Sequence, residues 1–333
     1  MHILLLLHKL RSFKSMKITQ KKLFFICNLC LFASAFIAGL SFVAQKSGME
    51  YMGPFTFNAV RCFLGAVCLL PLILFNDKKH PHKKSHSQKL TLIKGSIISG
   101  IILFIALSIN QYAMIYSQAG KAGFITSLYI IFVPIISLFL KEKIKPNVVI
   151  SIILSVIGLY LLCVKESLRF EFYDIFLTLS AFFFSIHLLV LSHYSTKCST
   201  MKLSSLQFLT VGILSLPFMF IFETPLLSSI LAGYKPLLFA GVIVTGVAYT
   251  LQLFGYKAVK PVLATLILSS EAIFAVLGGM VLLNETLNFY EFLGCILMAS
   301  AIILSQIDFK NIINRKNMVK EIIYEKVSSK QNV

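Results

Sequence analysis

FLKEKIKPNVVISIILSVIGLYLL (139–162) and LLNETLNFYEFLGCILMASAIILS (282–305) are weakly alike, and their difference says more than their likeness. Glu142 falls on Glu285 when the two are aligned, and each polar opening leads into an apolar run. The first opening carries Lys141, Lys143 and Lys145, whereas the second carries no Lys or Arg. Earlier in the chain a slightly wider spacing fits: Pro71 falls on Pro217, Arg61 on Gln207, and AGLSF (38–42) on FSIHL (184–188). Related segments with opposite Lys/Arg bias belong on opposite sides of a bilayer. The pattern predicts an all-α polytopic membrane protein built as an inverted repeat.

Composition agrees. Of 333 residues, 57% are hydrophobic and 13% charged, with a mean hydropathy of +0.85; soluble domains carry about 25% charged residues. Apolar runs of the length needed to cross hydrocarbon, about 20 residues, recur throughout. They predict ten transmembrane helices near 23–44, 54–75, 92–115, 122–140, 147–164, 174–192, 204–222, 236–256, 261–283 and 289–307. The organisation that follows is a tail at 1–22, a first repeat at 23–164, a second at 165–307 and a tail at 308–333. Pro54, Pro146 and Pro261 stand at or just before helix starts, where a missing N–H costs little. Pro71, Pro134 and Pro217 fall inside spans as candidate kinks.

The net charge of +18 would suggest nucleic acid in a soluble chain. Here the basic residues lie in loops and set topology. Twenty-five fall in the N-tail, the even connections and the C-tail, five in the odd connections, and Arg61 within a span completes the 31. This bias predicts a multi-pass inner-membrane protein with both termini cytoplasmic, and a second half entering from the side opposite the first. Ile3–Leu7 is too short for a signal-peptide core, and Met16 is an alternative start. The lysine-rich C-tail reads as a solvated segment able to touch anionic lipid.

Cys27 and Cys30 form a CxxC, but inside an apolar helix and with no second pair to complete a metal site. Together with Cys62, Cys68, Cys163, Cys198 and Cys295 they read as small residues at helix contacts. HExxH, Walker A and GxGxxG signatures are absent, so no enzyme, cofactor or metal centre is expected.

Three longer stretches carry a family resemblance. AGLSFVAQKSG…GPFTFNAVRCFLGAVCLLP (38–71) resembles the first two helices of EamA-type members of the drug/metabolite transporter superfamily, with their W-G-S-x-F-V-A-like run and Arg in an L-x-x-x-R-F-like context. YSQAGKAGFITSLYIIFVPIISLFLKEKI (116–144) resembles their fourth helix, and LATLILSSEAIFAVLGGMVLLNETL (263–287) their ninth. Asp174 matches the Asp that often opens the sixth. Ala38 stands where many members have Trp, and Ala272 where Pro often follows the Glu; these departures bear on substrate rather than fold. The resemblance covers about 23–307 and implies a ten-helix secondary transporter, a 5+5 inverted repeat around a central cavity.

Several residues are candidates for substrate or coupling chemistry. Glu271 lies near the middle of the ninth span, where a carboxylate costs roughly 2.5–3.5 kcal/mol on insertion scales. It must be protonated, paired or wetted, and a proton- or cation-binding role competes with a neutral acid bonding a neighbouring helix. Arg61 lies ~10 Å of helix rise inside the outer boundary. It can hold a substrate carboxylate, pair with Glu271, lock two helices or snorkel outward. His187 falls mid-span in helix six, as a core hydrogen-bonder or a cavity group. Asn110, Gln111 and Tyr112 are adjacent in helix three, and Tyr249 and Gln252 lie one turn apart in helix eight. They suit either a polar organic solute or interhelical hydrogen bonding. Tyr129, beside the GKAG run, is a further cavity candidate.

The resemblance implies alternating-access transport of a small organic solute: an amino acid, a related metabolite or an amphipathic compound. Export is the commoner direction, and proton coupling is open. A carrier of nucleotide-like or lipid-linked sugar substrates ranks lower, because the spans show no second buried Lys/Arg to meet several phosphates. A non-transporting membrane scaffold is the alternative from another class. The expected partners are the solute and the lipid bilayer, with a homodimer open and no nucleic acid.

Overall fold

The computed structural model describes residues 2–79, 85–117, 119–162, 171–283 and 288–307. Lys83, Lys84, Cys163, Lys165, Arg169, Glu285 and the tail 308–333, on which parts of the charge and repeat readings rest, lie outside the described residues. The described chain is helical, with no strand. In order it forms α1 (His2–Gly48), α2 (Pro54–Lys79), α3 (His86–Tyr116), α4 (Ala119–Thr126), α5 (Tyr129–Phe139), α6 (Pro146–Leu162) and α7 (Phe172–Ser195). There follow α8 (Thr200–Phe222), α9 (Leu227–Ala232), α10 (Tyr234–Leu238), a π-helical segment (Phe239–Ala248), α11 (Tyr249–Gly255), α12 (Pro261–Leu268), α13 (Glu271–Leu283) and α14 (Phe289–Gln306). Eight apolar units among the described residues are long enough to cross a membrane, and Pro146–Leu162 and Pro261–Leu277 are shorter apolar helices.

Four local features differ from expectation, each for a physical reason. The predicted tail at 1–22 continues α1, because residues 2–38 contain no Gly or Pro to stop a helix. The fourth span is broken at Ser127–Leu128 and the ninth at Ser269–Ser270, where ψ falls to −7° at Leu128 and −14° at Ser269. Backbone bonds there shorten to three residues, as in Leu128 N to Ile125 O and Ser270 N to Ile267 O. The serine hydroxyls at 269 and 270 also bond back to carbonyls three residues earlier, at 2.8 and 2.6 Å. The eighth span widens into a π-helix, where Thr245 Oγ1 donates to Ala240 O, five residues back, at 2.7 Å.

The polarity is that of a protein solvated by lipid. Phe75, Phe139, Phe220 and Phe222 point outward, while Arg61, Asn110, His187 and Gln207 are buried. α2 packs on α8, α6 on α14, and α3 between α7 and α8. The π segment lies against α1 and α2, and α1 runs across α11, α12 and α13. Small residues allow the closest crossings. A Cβ on Gly158 would sit 2.8 Å from Gly294 O, and one on Gly294 would sit 2.6 Å from Gly158 O, so the α6 and α14 backbones touch through hydrogen alone.

Polar ties close the two ends of the bundle. At one end Glu223, following α8, accepts from Phe55 N, Thr56 N and Thr56 Oγ1 at 2.7, 2.8 and 2.6 Å, capping α2. Lys46 donates to Met114 O and Ile115 O at the last turn of α3, and Lys121 of α4 pairs with Asp174 of α7 at 2.8 Å. At the other end Lys202 pairs with Asp77, and Asn147 Nδ2 reaches Leu304 O and Ile307 O.

Candidate functional site

A cavity lined by both halves of the chain holds about 770 Å³ of empty space including its open mouth. α1 lines it with Ser34, Ala38, Ser41 and Gln45, spaced so that successive turns present one face. α2 adds Arg61, α3 adds Asn110, and α7 adds Phe184 and His187. Ala248, Tyr249 and Gln252 come from the π segment and α11, where the wider helical turn ends. The two broken spans supply Thr126 and Tyr129 on one side and Glu271 on the other.

The breaks face each other through one carboxylate. Glu271 Oε1 accepts from Ser127 Oγ at 3.0 Å and from Tyr129 Oη at 2.9 Å. Ser127 and Ser270, each in a break, fall on one another in the alignment that pairs Glu142 with Glu285. Gly39 of α1 lies directly under this junction, and a Cβ there would collide with the carbonyl oxygen of Glu271. Because Glu271 opens α13, its carboxyl sits at the end of that helix whose dipole favours a negative charge.

Arg61 is 3% exposed and pairs with no carboxylate among the described residues. Nη1 donates to Gln45 Oε1 at 3.1 Å, and the guanidinium lies over the Phe57 ring at 5.3 Å. Gln45 in turn donates to Ser41 Oγ at 3.0 Å. A similar pair forms in the second half, where His187 Nε2 lies 3.2 Å from Gln207 Oε1. Asn110 Nδ2 donates to Thr126 Oγ1 at 2.8 Å and Ser180 Oγ at 3.2 Å, joining α3, α4 and α7. Tyr249 packs edge-on against Phe208 at 5.5 Å, and Gln252 donates to Tyr256 Oη at 3.2 Å.

The structure therefore brings Glu271, Arg61, His187, Asn110, Tyr129, Tyr249 and Gln252 to one cavity. It does not bring Gln111 or Tyr112 there. Consecutive helical residues are turned by about 100°, so three in a row cannot share a wall. Gln111 faces α1, donating to Gln45 O at 3.2 Å, and Tyr112 is 40% exposed among Tyr116, Tyr173 and Phe176. Arg61 and Glu271 share the cavity without forming an ion pair. Gln45, Ser127 and Gln207 are partners that sequence reasoning did not single out as site residues. No cluster of three or more His, Cys, Asp or Glu suited to a metal occurs among the described residues.

Comparison with known proteins places this architecture. The profile of the EamA-like transporter family matches residues 25–164 and again 171–306. The chain belongs to the EamA-like transporter family. This EamA-like protein is 31% identical over 271 residues to an "Uncharacterized transporter" of Archaeoglobus fulgidus, covering 81% of this chain and 82% of that one. It is 24% identical over 280 residues to "Uncharacterized transporter YoaV" of Bacillus subtilis, covering 82% of this chain and 94% of the relative. A solved crystal structure shares the fold with a TM-score of 0.68 at 16% identity, over 84% of this chain and 96% of that one. It is thus a multi-pass membrane transporter of the drug/metabolite type.

Proposed function

We propose that this EamA-like transporter is a secondary carrier moving a small organic solute by alternating access through the central cavity. Ten helices would act as a 5+5 inverted repeat in the inner membrane with both termini cytoplasmic. The observation that carries this reading is the cavity itself: both halves line it, and two broken spans meet at its wall through Glu271, Ser127 and Tyr129. The packing supports a two-fold relation. Exchanging each span of one half for its counterpart turns α3·α8 into α2·π segment and α5·α7 into α1·α12–α13, and each of these contacts is present.

The lining favours an amino acid, a related metabolite or an amphipathic compound. It combines hydrogen-bonding groups with apolar walls from Leu107, Leu188 and Val244, and among the described residues Arg61 is its one Lys or Arg. That single cation argues against nucleotide-like cargo with several phosphates. Glu271 is the coupling group in this reading: Oε1 is held by two hydroxyls, leaving the carboxyl placed to exchange a proton through the cavity. The family resemblance makes export the expected direction.

The test is counterflow in proteoliposomes with a mixed pool of labelled amino acids and metabolites, with and without a pH gradient. Wild type exchanges solute, and Glu271→Gln keeps exchange while losing gradient-driven accumulation. Accumulation retained in the variant removes Glu271 as the coupling group. A folded wild type that moves nothing from the pool favours a scaffold.

A further inference from the structure

Arg61 presents a problem that the fold leaves unsolved. Its guanidinium stays charged under all ordinary conditions, and a lone cation inside a bilayer is strongly unfavourable. Gln45 accepts a hydrogen bond from it and the Phe57 ring lies 5.3 Å away, yet neither supplies a negative charge. Glu271, the one acid lining the cavity among the described residues, is bound to Ser127 and Tyr129 instead.

The pattern of used and unused donors is specific. Nη1, the nitrogen on the Cδ side, is taken by Gln45, while Nε and Nη2 make no hydrogen bond among the described residues. Those two carry the parallel N–H bonds of the guanidinium's side edge, the fork that meets both oxygens of a carboxylate at once. Both atoms are shielded from solvent. In that dry setting an anion that ion-pairs with the fork has an advantage over water.

We propose that Arg61 is the carboxylate-binding subsite of this carrier, with Gln45 as the positioning residue that turns the fork toward the cargo. Cargo then carries one carboxylate, and its remainder rests on the apolar wall. Gln111 supports the arrangement from behind, through its bond to the Gln45 carbonyl at 3.2 Å. The subsite rests on the carrier reading above.

The experiment is counterflow with three labelled pools of matched carbon skeletons: carboxylates including amino acids, their uncharged amides and esters, and amines without a carboxylate. Purified protein is also followed by thermal unfolding, so that folding is scored separately. Wild type moves the carboxylate pool at least tenfold faster than the other two. Arg61→Gln loses that pool at least tenfold. Gln45→Glu keeps Arg61 charge-compensated and folded, but supplies an internal carboxylate. It raises the half-saturation concentration for carboxylates at least tenfold with the maximal rate retained, which a merely structural role of Gln45 would not produce. Equal transport of all pools, preference for amines or amides, or an unchanged half-saturation in a folded Gln45→Glu overturns the subsite while leaving the carrier intact. Silence in every pool overturns the carrier reading, and the subsite falls with it.

Discussion

Glu271 uses one oxygen for architecture: Oε1 takes the hydroxyls of Ser127 and Tyr129, and among the described residues no hydrogen bond reaches Oε2. This division makes a prediction about stability that is separate from transport. Glu271→Gln retains an acceptor for both hydroxyls and should unfold near the wild-type temperature in detergent. Glu271→Ala strands both donors and should lose about 1–3 kcal/mol. Equal unfolding of the two variants would mean that the bonds contribute nothing. Glu271 and Arg61 were legible in the sequence because an ionisable group within an apolar run is conspicuous. Gln45 was not, since the predicted first span ended at residue 44 and left it at the water edge, whereas α1 continues to Gly48. Ser127 was hidden differently: a serine in an apolar helix usually bonds its own backbone, and nothing local marks the one that reaches across to Glu271.

Among the elements, α4 and α7 are tied by a buried ion pair. Lys121 and Asp174 are 7% and 1% exposed, and Asp174 also accepts from Glu171 N at 2.8 Å. Removing one partner leaves a buried charge, so Lys121→Met should destabilise by about 3–5 kcal/mol. The double variant Lys121→Met/Asp174→Asn removes both charges and keeps the helix cap, and should recover most of that loss. Thermal unfolding of the set decides it; a single variant as stable as wild type would show the pair to be dispensable. The helices themselves were readable from apolar length and proline position, and α2, α6 and α12 begin at Pro54, Pro146 and Pro261. The breaks at 127–128 and 269–270 were not. A tightened turn changes two or three backbone bonds and needs no special residue, so it leaves no mark on hydropathy.

For the whole molecule, the orientation proposed from the Lys and Arg bias is open to direct labelling. In a variant cleared of native cysteines, Glu50→Cys should react with a membrane-impermeant maleimide in intact cells, and Asn76→Cys only after permeabilisation. Both positions are exposed, in and near connections at opposite ends of the bundle. The reverse pattern would invert the topology. At this scale the sequence by itself determined the solvent, the helical class and the kinship of the two halves, because each is an average over many residues: apolar length, charge bias, and motifs kept in order. Only the tertiary structure decided which polar groups meet. It separates Arg61 from Glu271, joins Arg61 to Gln45 and His187 to Gln207, and turns Tyr112 out of the cavity. Those outcomes depend on helix rotation and on breaks of a single turn, where a shift of one residue moves a side chain by about 100° and no average over the sequence records it.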